Sequence, residues 1–121
     1  MAAWISDGNE RFAILDGGVL AGMVSLTGIE RGALQSAMIS YFVDEARGGR
    51  GLASNAVAAL LERGFDRLGL HRIEAGTAVS NIASQRVLEK NRFTNVGLLR
   101  RHLLLGGVWT DHYLWERIAD D

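Results

Sequence analysis

The chain has 121 residues, 48% hydrophobic and 22% charged, with a net charge of −1; it can bury one sizeable core and lacks the basic excess of a general nucleic-acid binder. It contains no cysteine, which removes disulfides, thiolate nucleophiles and cysteine metal sites and fits a reducing, cytoplasmic compartment. No apolar run approaches the roughly 20 residues that span a bilayer, and no signal-peptide pattern opens the chain.

We read residues 1–121 as a single domain, with no repeat, linker or low-complexity tract. "RFAILDGGVLAGMVSLTGIE" reads as two strands around a turn at Asp16-Gly17-Gly18, because these residues tolerate positive φ. "ALQSAMISYFVD" reads as a third strand. Between residues 51 and 69, Ala53, Val57, Leu60, Leu61, Gly64, Phe65 and Leu68 recur at helical spacing, with Glu62, Arg63, Asp66 and Arg67 outward and Gly69 as the stop. "HRIEAGTAV" is a short strand, and Ser80 is placed to cap a helix from Asn81 to about Lys90. The tail, "VGLLRRHLLLGGVWTDHYLWERIA", predicts two long strands joined at Gly106-Gly107. The order β-β-β-α-β-α-β-β predicts a mixed α/β (α+β) fold. Its sheet is mostly antiparallel, with one central β-α-β crossover and a locally parallel pair.

Residues 47–53, between the third strand and the long helix, admit three readings. One is a βα junction that happens to be glycine-rich. A second is a nucleotide loop: Gly49-Arg50-Gly51-Leu52-Ala53-Ser54 fits G-x-G-x-x-S, with Glu74 further on, but antiparallel strands precede it and a Rossmann unit needs parallel ones. A Walker loop is excluded because G-K-[S/T] is absent. The third is a pyrophosphate nest. Small residues let the backbone approach a ligand, amides at a helix N-terminus point at it, and Arg47 and Arg50 add charge. With no acidic cluster to hold a metal beside the phosphates, this reading suggests coenzyme A.

Gly48-Gly49-Arg50-Gly51-Leu52-Ala53 and "LGLHRIEAGTAVSNIASQRVLEKNRF", Leu68 to Phe93, together resemble the GCN5-related N-acetyltransferases. The branch is the one that acetylates ribosomal-protein N-termini, and the resemblance covers roughly residues 11 to 120. That family's loop reads [Q/R]-x-x-G-x-[G/A]; here Gly48 stands at the first position, with Arg47 one residue early. Asn81 and Ser84 stand at the family's N-x-x-S positions. The resemblance implies acetyl-CoA as cofactor and an amine as acceptor. It also implies strands near 36–43 and 72–78 that splay apart. Backbone groups of Tyr41, Phe42 and Val43 would then take pantetheine like an added strand, and the amides of residues 48 to 54 (from Gly48 through Ser54) the pyrophosphate.

Acetyl transfer needs a base for the amine, polarisation of the thioester carbonyl, and a proton for the leaving thiolate. Ser84 is the candidate acid, on one helix face with Val87 and Leu88, and Asn81 sits a turn earlier. The bland alternative is that Asn81 begins the helix and Ser84 packs. Tyr113 is the other candidate acid; alternating with Trp109, Asp111 and Trp115, it is equally readable as core. Relatives often carry A-E-[I/L]-G-Y where this chain has Ala37-Met38-Ile39-Ser40-Tyr41, so methionine replaces the carboxylate. His102 and His112 remain as bases, or the bound amine loses its proton through water. Relatives end the second helix with Gly-Phe; here Arg92 precedes Phe93, and Asn91 is expected to take the left-handed role.

The family begins with a strand and two helices, whereas about ten residues, "MAAWISDGNE", precede the first strand recognised here. An internal start, a second subunit that completes the site, or loss of acceptor binding would each account for it. A shortened, non-catalytic CoA-binding or dimerisation module is therefore the alternative to an enzyme. The long apolar tail strands predict a homodimer that buries Trp4 or the tail hairpin.

Overall fold

The computed structural model describes residues 2–6 (backbone only), 9–47 and 51–121. In chain order it contains β1 (Ala2–Ser6), β2 (Glu10–Asp16), β3 (Val19–Glu30) and β4 (Ser36–Val43), then α1 (Leu52–Glu62) and β5 (Arg72–Ala78). These are followed by α2 (Ile82–Lys90), β6 (Thr94–Leu105) and β7 (Val108–Ile118). The strands form one sheet in the order β1-β2-β3-β4-β5-β7-β6. The pair β4–β5 is parallel and the other neighbours are antiparallel, as the strand–helix–strand order required.

Both predicted glycine turns form. Gly17 and Gly18 have φ of 59° and 85°, and Gly106 and Gly107 have 57° and 80°. Two consecutive left-handed residues match the twist of a hairpin, and L side chains are strained there. A further glycine is required by contact: a Cβ on Gly22 would collide with the Phe42 carbonyl oxygen, where β3 meets β4.

The front of the chain corrects one expectation. Ala2–Ser6 is a strand, antiparallel to β2 with a register shift between Ala3 and Ile5, so the sheet has one more strand than the pattern predicted. Five residues are too few to display a period, and the ladder to β2 defines the strand. The Trp4 side chain lies outside the described residues.

The long helix keeps its predicted inner face: Val57, Leu60 and Leu61 are buried against Val24, Leu26 and Ile73 of the sheet, with Leu88 of α2 in the same core. Each such large aliphatic side chain contributes about 1.5–3 kcal/mol by leaving water. Beyond Glu62 the helix widens into a π turn, Arg63–Arg67, and stops at Gly69, φ 66°. Gly64 is buried there, and a Cβ on it would lie 2.7 Å from Ile73 Cδ1, so helix and sheet pack at glycine distance. Arg63, expected to face outward, is half-buried instead. It pairs with Glu10 at 2.8 Å and lies over the Phe12 ring at 5.4 Å.

Two details of α2 also differ from expectation. Its N-cap is Asn81, not Ser80: the Asn81 side-chain oxygen accepts from the Ser84 amide at 3.1 Å. At the other end Arg92, φ 66°, takes the left-handed position, whereas Asn91 has φ −93°. Asn91 is buried and turns its amide to α1, donating to Ser54 O at 3.1 Å and Ser54 Oγ at 3.2 Å. A buried polar group must find partners, and here it finds them on the neighbouring helix.

The β6–β7 hairpin is the least covered part. No residue of β6 is buried, and β7 buries His112 and Trp115, whose indole donates to Thr77 Oγ1 at 2.9 Å. Register jumps from Leu99↔His112 to Leu103↔Thr110, so β6 bulges at residues 100–102. Arg101 there has φ 47° and donates its amide to the Asp111 carboxylate at 2.7 Å.

Candidate functional site

The site begins where two strands part. β4 and β5 pair only at Ser36↔Arg72, Ala37↔Ile73 and Met38↔Glu74. Beyond Met38, β4 follows β3 as far as Val43↔Gly22, and β5 follows β7 as far as Ala78↔His112. The inner edge of residues 39–43 is thereby left without a ladder partner on that side. Backbone donors and acceptors in such an edge are available to an extended ligand.

Tyr41 spans the gap. Its hydroxyl shares a 2.7 Å hydrogen bond with Ser84 Oγ and donates to Ser84 O at 3.1 Å. Burial raises the Tyr41 pKa above 10.0, with the Ser84 hydrogen bond pulling the other way. The phenol therefore stays protonated through the neutral range. Two hydroxyls thus meet at the inner end of the opening.

From this point a cleft of about 630 Å³ runs outward between two walls. One wall is Tyr41, Phe42 and Val43, the turn carrying Arg47, and the first turn of α1 from Gly51 to Ser54. Gly51 is the α1 N-cap at φ 74°, and no side chain caps the first-turn amides among the described residues. The other wall is α2, where Asn81, Ala83, Ser84, Val87 and Lys90 line the cleft with Arg86 beside them. Asn91 ties the two walls together through Ser54. The structure thus brings the predicted binding residues into one cleft, except Gly48, Gly49 and Arg50, which lie outside the described residues.

Three placements refine the sequence reading. Arg47 lines the cleft, but its guanidinium is held by Asp16 at 2.7 Å. Tyr113 packs partly buried against the core and is not among the residues lining the cleft. His112 is buried at 5% exposure, with its ring 6.0 Å from that of His102, edge to face. Sequence reasoning missed Arg86 and Lys90. The signal was present: they follow Ala83 at i+3 and i+7, the spacing of one helix face. It also missed that Glu74 stands level with Met38 on the neighbouring strand. Glu74 pairs with Arg72 at 3.3 Å, and Arg72 also pairs with Glu116. Among the described residues no group of three or more His, Cys, Asp or Glu is placed to hold a metal ion, and no helix is long and apolar enough to cross a membrane.

Residues 1–94 match the family model described as acetyltransferase (GNAT) domain. Over 102 residues the chain is 48% identical to the probable N-acetyltransferase YjcK of Bacillus subtilis (strain 168), covering 84% of this chain and 56% of that protein. It is 31% identical over 109 residues to the ribosomal-protein-serine acetyltransferase of Escherichia coli (strain K12), covering 90% of this chain and 60% of that one. Among solved structures, Mycobacterium smegmatis RimJ in complex with CoA-disulfide superposes with a TM-score of 0.90 at 38% identity, over 93% of this chain and 54% of RimJ. The chain therefore spans somewhat more than half the length of these relatives.

Proposed function

Because the chain belongs to the family of acetyltransferase (GNAT) domains, we propose that residues 1–121 form one domain that binds acetyl-CoA and transfers its acetyl group to a primary amine. The observation that carries this reading is the parting of β4 from β5 beside a hydroxyl pair, with uncapped helix amides at the outer end of the same cleft. An extended pantetheine chain fits the free edge at Tyr41, Phe42 and Val43. The pyrophosphate fits the α1 N-terminus, with Gly51, Leu52, Ala53 and Ser54 around it; Gly48, Gly49 and Arg50, the rest of the expected nest, lie outside the described residues. Arg47 then acts by holding the turn to Asp16 and lending a partly neutralised charge.

Acetyl-CoA would supply an activated acyl group. The work left to the chain is to align it, exclude water and return a proton to sulfur. Ser84 is the proposed donor, and the hydrogen bond between its Oγ and the Tyr41 hydroxyl, which stays protonated, holds it at the inner end of the cleft. Asn81 orients Ser84 by capping its amide and exposes its own side-chain amide to the cleft. Tyr113, partly buried on β7, is the second candidate donor, and paired Ser84→Ala and Tyr113→Phe variants separate the two. The acceptor class is a protein N-terminus or a small-molecule amine. The ribosomal-protein-serine acetyltransferase of Escherichia coli supports the first.

We further propose a cytoplasmic homodimer. Leu103, Leu104, Leu105, Val108 and Trp109 at the end of the hairpin are 45–64% exposed, an apolar surface suited to a two-fold contact. Isothermal calorimetry with CoA, acetyl-CoA and NAD tests the cofactor: the first two bind, and binding of NAD alone overturns the reading. Sedimentation equilibrium at micromolar concentration tests the assembly, and a monomer of 13.2 kDa overturns the dimer.

A further inference from the structure

Part of the charge of the cleft comes from side chains that the sequence reading did not single out. Arg47 is already paired with Asp16. Arg86 and Lys90, on the opposite wall, are exposed, line the cleft, and have no hydrogen bond or ion pair among the described residues. They are four residues apart on α2, so their side chains stand one turn apart on the same face. Glu45, in the turn after β4, lines the cleft too, and the two cations outweigh it. Lys90 directly precedes Asn91, which reaches Ser54 in the first turn of α1. Lys90 therefore flanks the outer, phosphate end of the cleft, and Arg86 stands one turn nearer the hydroxyl end at Tyr41 and Ser84.

Resting on the coenzyme A reading above, we propose that Arg86 and Lys90 form a separate subsite for the 3′-phosphate of the cofactor. The α1 amides are uncharged donors suited to the pyrophosphate, whose charge is spread over two bridged groups. The 3′-phosphate is a terminal monoester with nearly two charges, and it is the anionic group those amides leave unmatched. A guanidinium and an ammonium one turn apart give it a planar donor pair and a point charge. The subsite makes the domain select coenzyme A over dephospho-coenzyme A.

Calorimetry with both compounds tests it on the wild type, Arg86→Gln, Lys90→Gln and the double variant, with Arg67→Gln as a surface-charge control. Both substituted positions are exposed, and near-identical circular dichroism and melting curves are expected. The wild type should bind coenzyme A more tightly than dephospho-coenzyme A. Each single variant should weaken coenzyme A binding by about 3-fold and the pair by about 10-fold, in the range of exposed ion pairs, with dephospho-coenzyme A changed by less than about 2-fold. The preference should shrink in 0.5 M salt. Equal loss for both compounds would assign the cations to the pyrophosphate and overturn the proposal, as would no loss for either. A wild type that binds neither compound would overturn the coenzyme A reading itself, and the subsite with it.

Discussion

The two walls of the cleft are built on opposite principles. The α1 wall offers main chain: an N-cap glycine at φ 74°, amides without a side-chain cap, and the free edge of β4. The α2 wall offers side chains: Asn81, Ser84, Arg86 and Lys90, all projected from one regular helix. Main chain binds whatever has the right shape and charge, and is sensitive to any side chain that blocks its approach. Side chains on a helix can be exchanged singly without moving the backbone. Mutations should therefore act on the α1 wall by obstruction and on the α2 wall by loss of one chemical group.

The largest expected effect breaks the α1 wall. Gly51→Glu forces a side chain into the left-handed region, at a cost of about 1–2 kcal/mol, and places a negative charge beside the first-turn amides. A Cβ at this position meets only Asn55 Nδ2, at 4.0 Å, so loss of binding will report strain and charge and not a steric clash with the core. Calorimetry should show coenzyme A binding weakened beyond detection, and Gly51→Ala should retain more affinity because it lacks the charge.

On the α2 wall, Ser84→Ala should lower kcat by about 10- to 10⁴-fold with a smaller change in KM, the range for a general acid. The fold should tolerate it, because Tyr41 keeps its second acceptor, Ser84 O at 3.1 Å. An unchanged kcat would leave Ser84 a packing residue and move the test to Tyr113→Phe.

Asn91→Ala tests the tie between the walls. It removes the amide that donates to Ser54 O, Ser54 Oγ and Val87 O. Urea unfolding should show a loss of about 1–3 kcal/mol, as for a buried hydrogen-bonding group whose partners are left behind. Coenzyme A affinity should fall with it, although Asn91 is not among the residues lining the cleft. A stability loss with unchanged affinity would mean that the α1 wall holds its shape alone.

The smallest effect is a pH dependence. Tyr41 has a raised pKa in the folded chain, so the folded state retains a proton that the unfolded chain has lost. Its contribution is intact below the unfolded value near 10 and drains away as pH rises through the folded value. Denaturation midpoints between pH 9 and 11 should fall more steeply for the wild type than for Tyr41→Phe.

These contrasts also mark what could be read in advance. The helix of residues 51–69 was legible because its apolar spacing repeats over several turns, and the hairpins because glycine pairs stand between apolar runs. The cleft residues were legible as a motif and not as a geometry: Asn81 and Ser84 were singled out, but the hydroxyl partner of Ser84 was not. Tyr41 lies on a different element, 43 residues away in sequence, and no local pattern records that distance. The short β1 escaped because five residues carry no measurable period and depend on the neighbouring strand.

The sequence by itself determined the order of the elements after β1, the glycine turns, the inner face of α1 and the glycine-rich entry to it. These follow from local sterics and from hydrophobic spacing within one segment, which any stretch of chain carries with it. Only the tertiary structure decided which charges are free. Arg47 read as a phosphate-facing cation and Arg63 as a solvent-facing one, yet Asp16 and Glu10 at the two ends of β2 hold them. Arg86 and Lys90 were not singled out in the sequence, yet they line the cleft. Charge pairing depends on distances of a few ångströms between segments far apart in the chain, and packing of the helices against the sheet sets those distances.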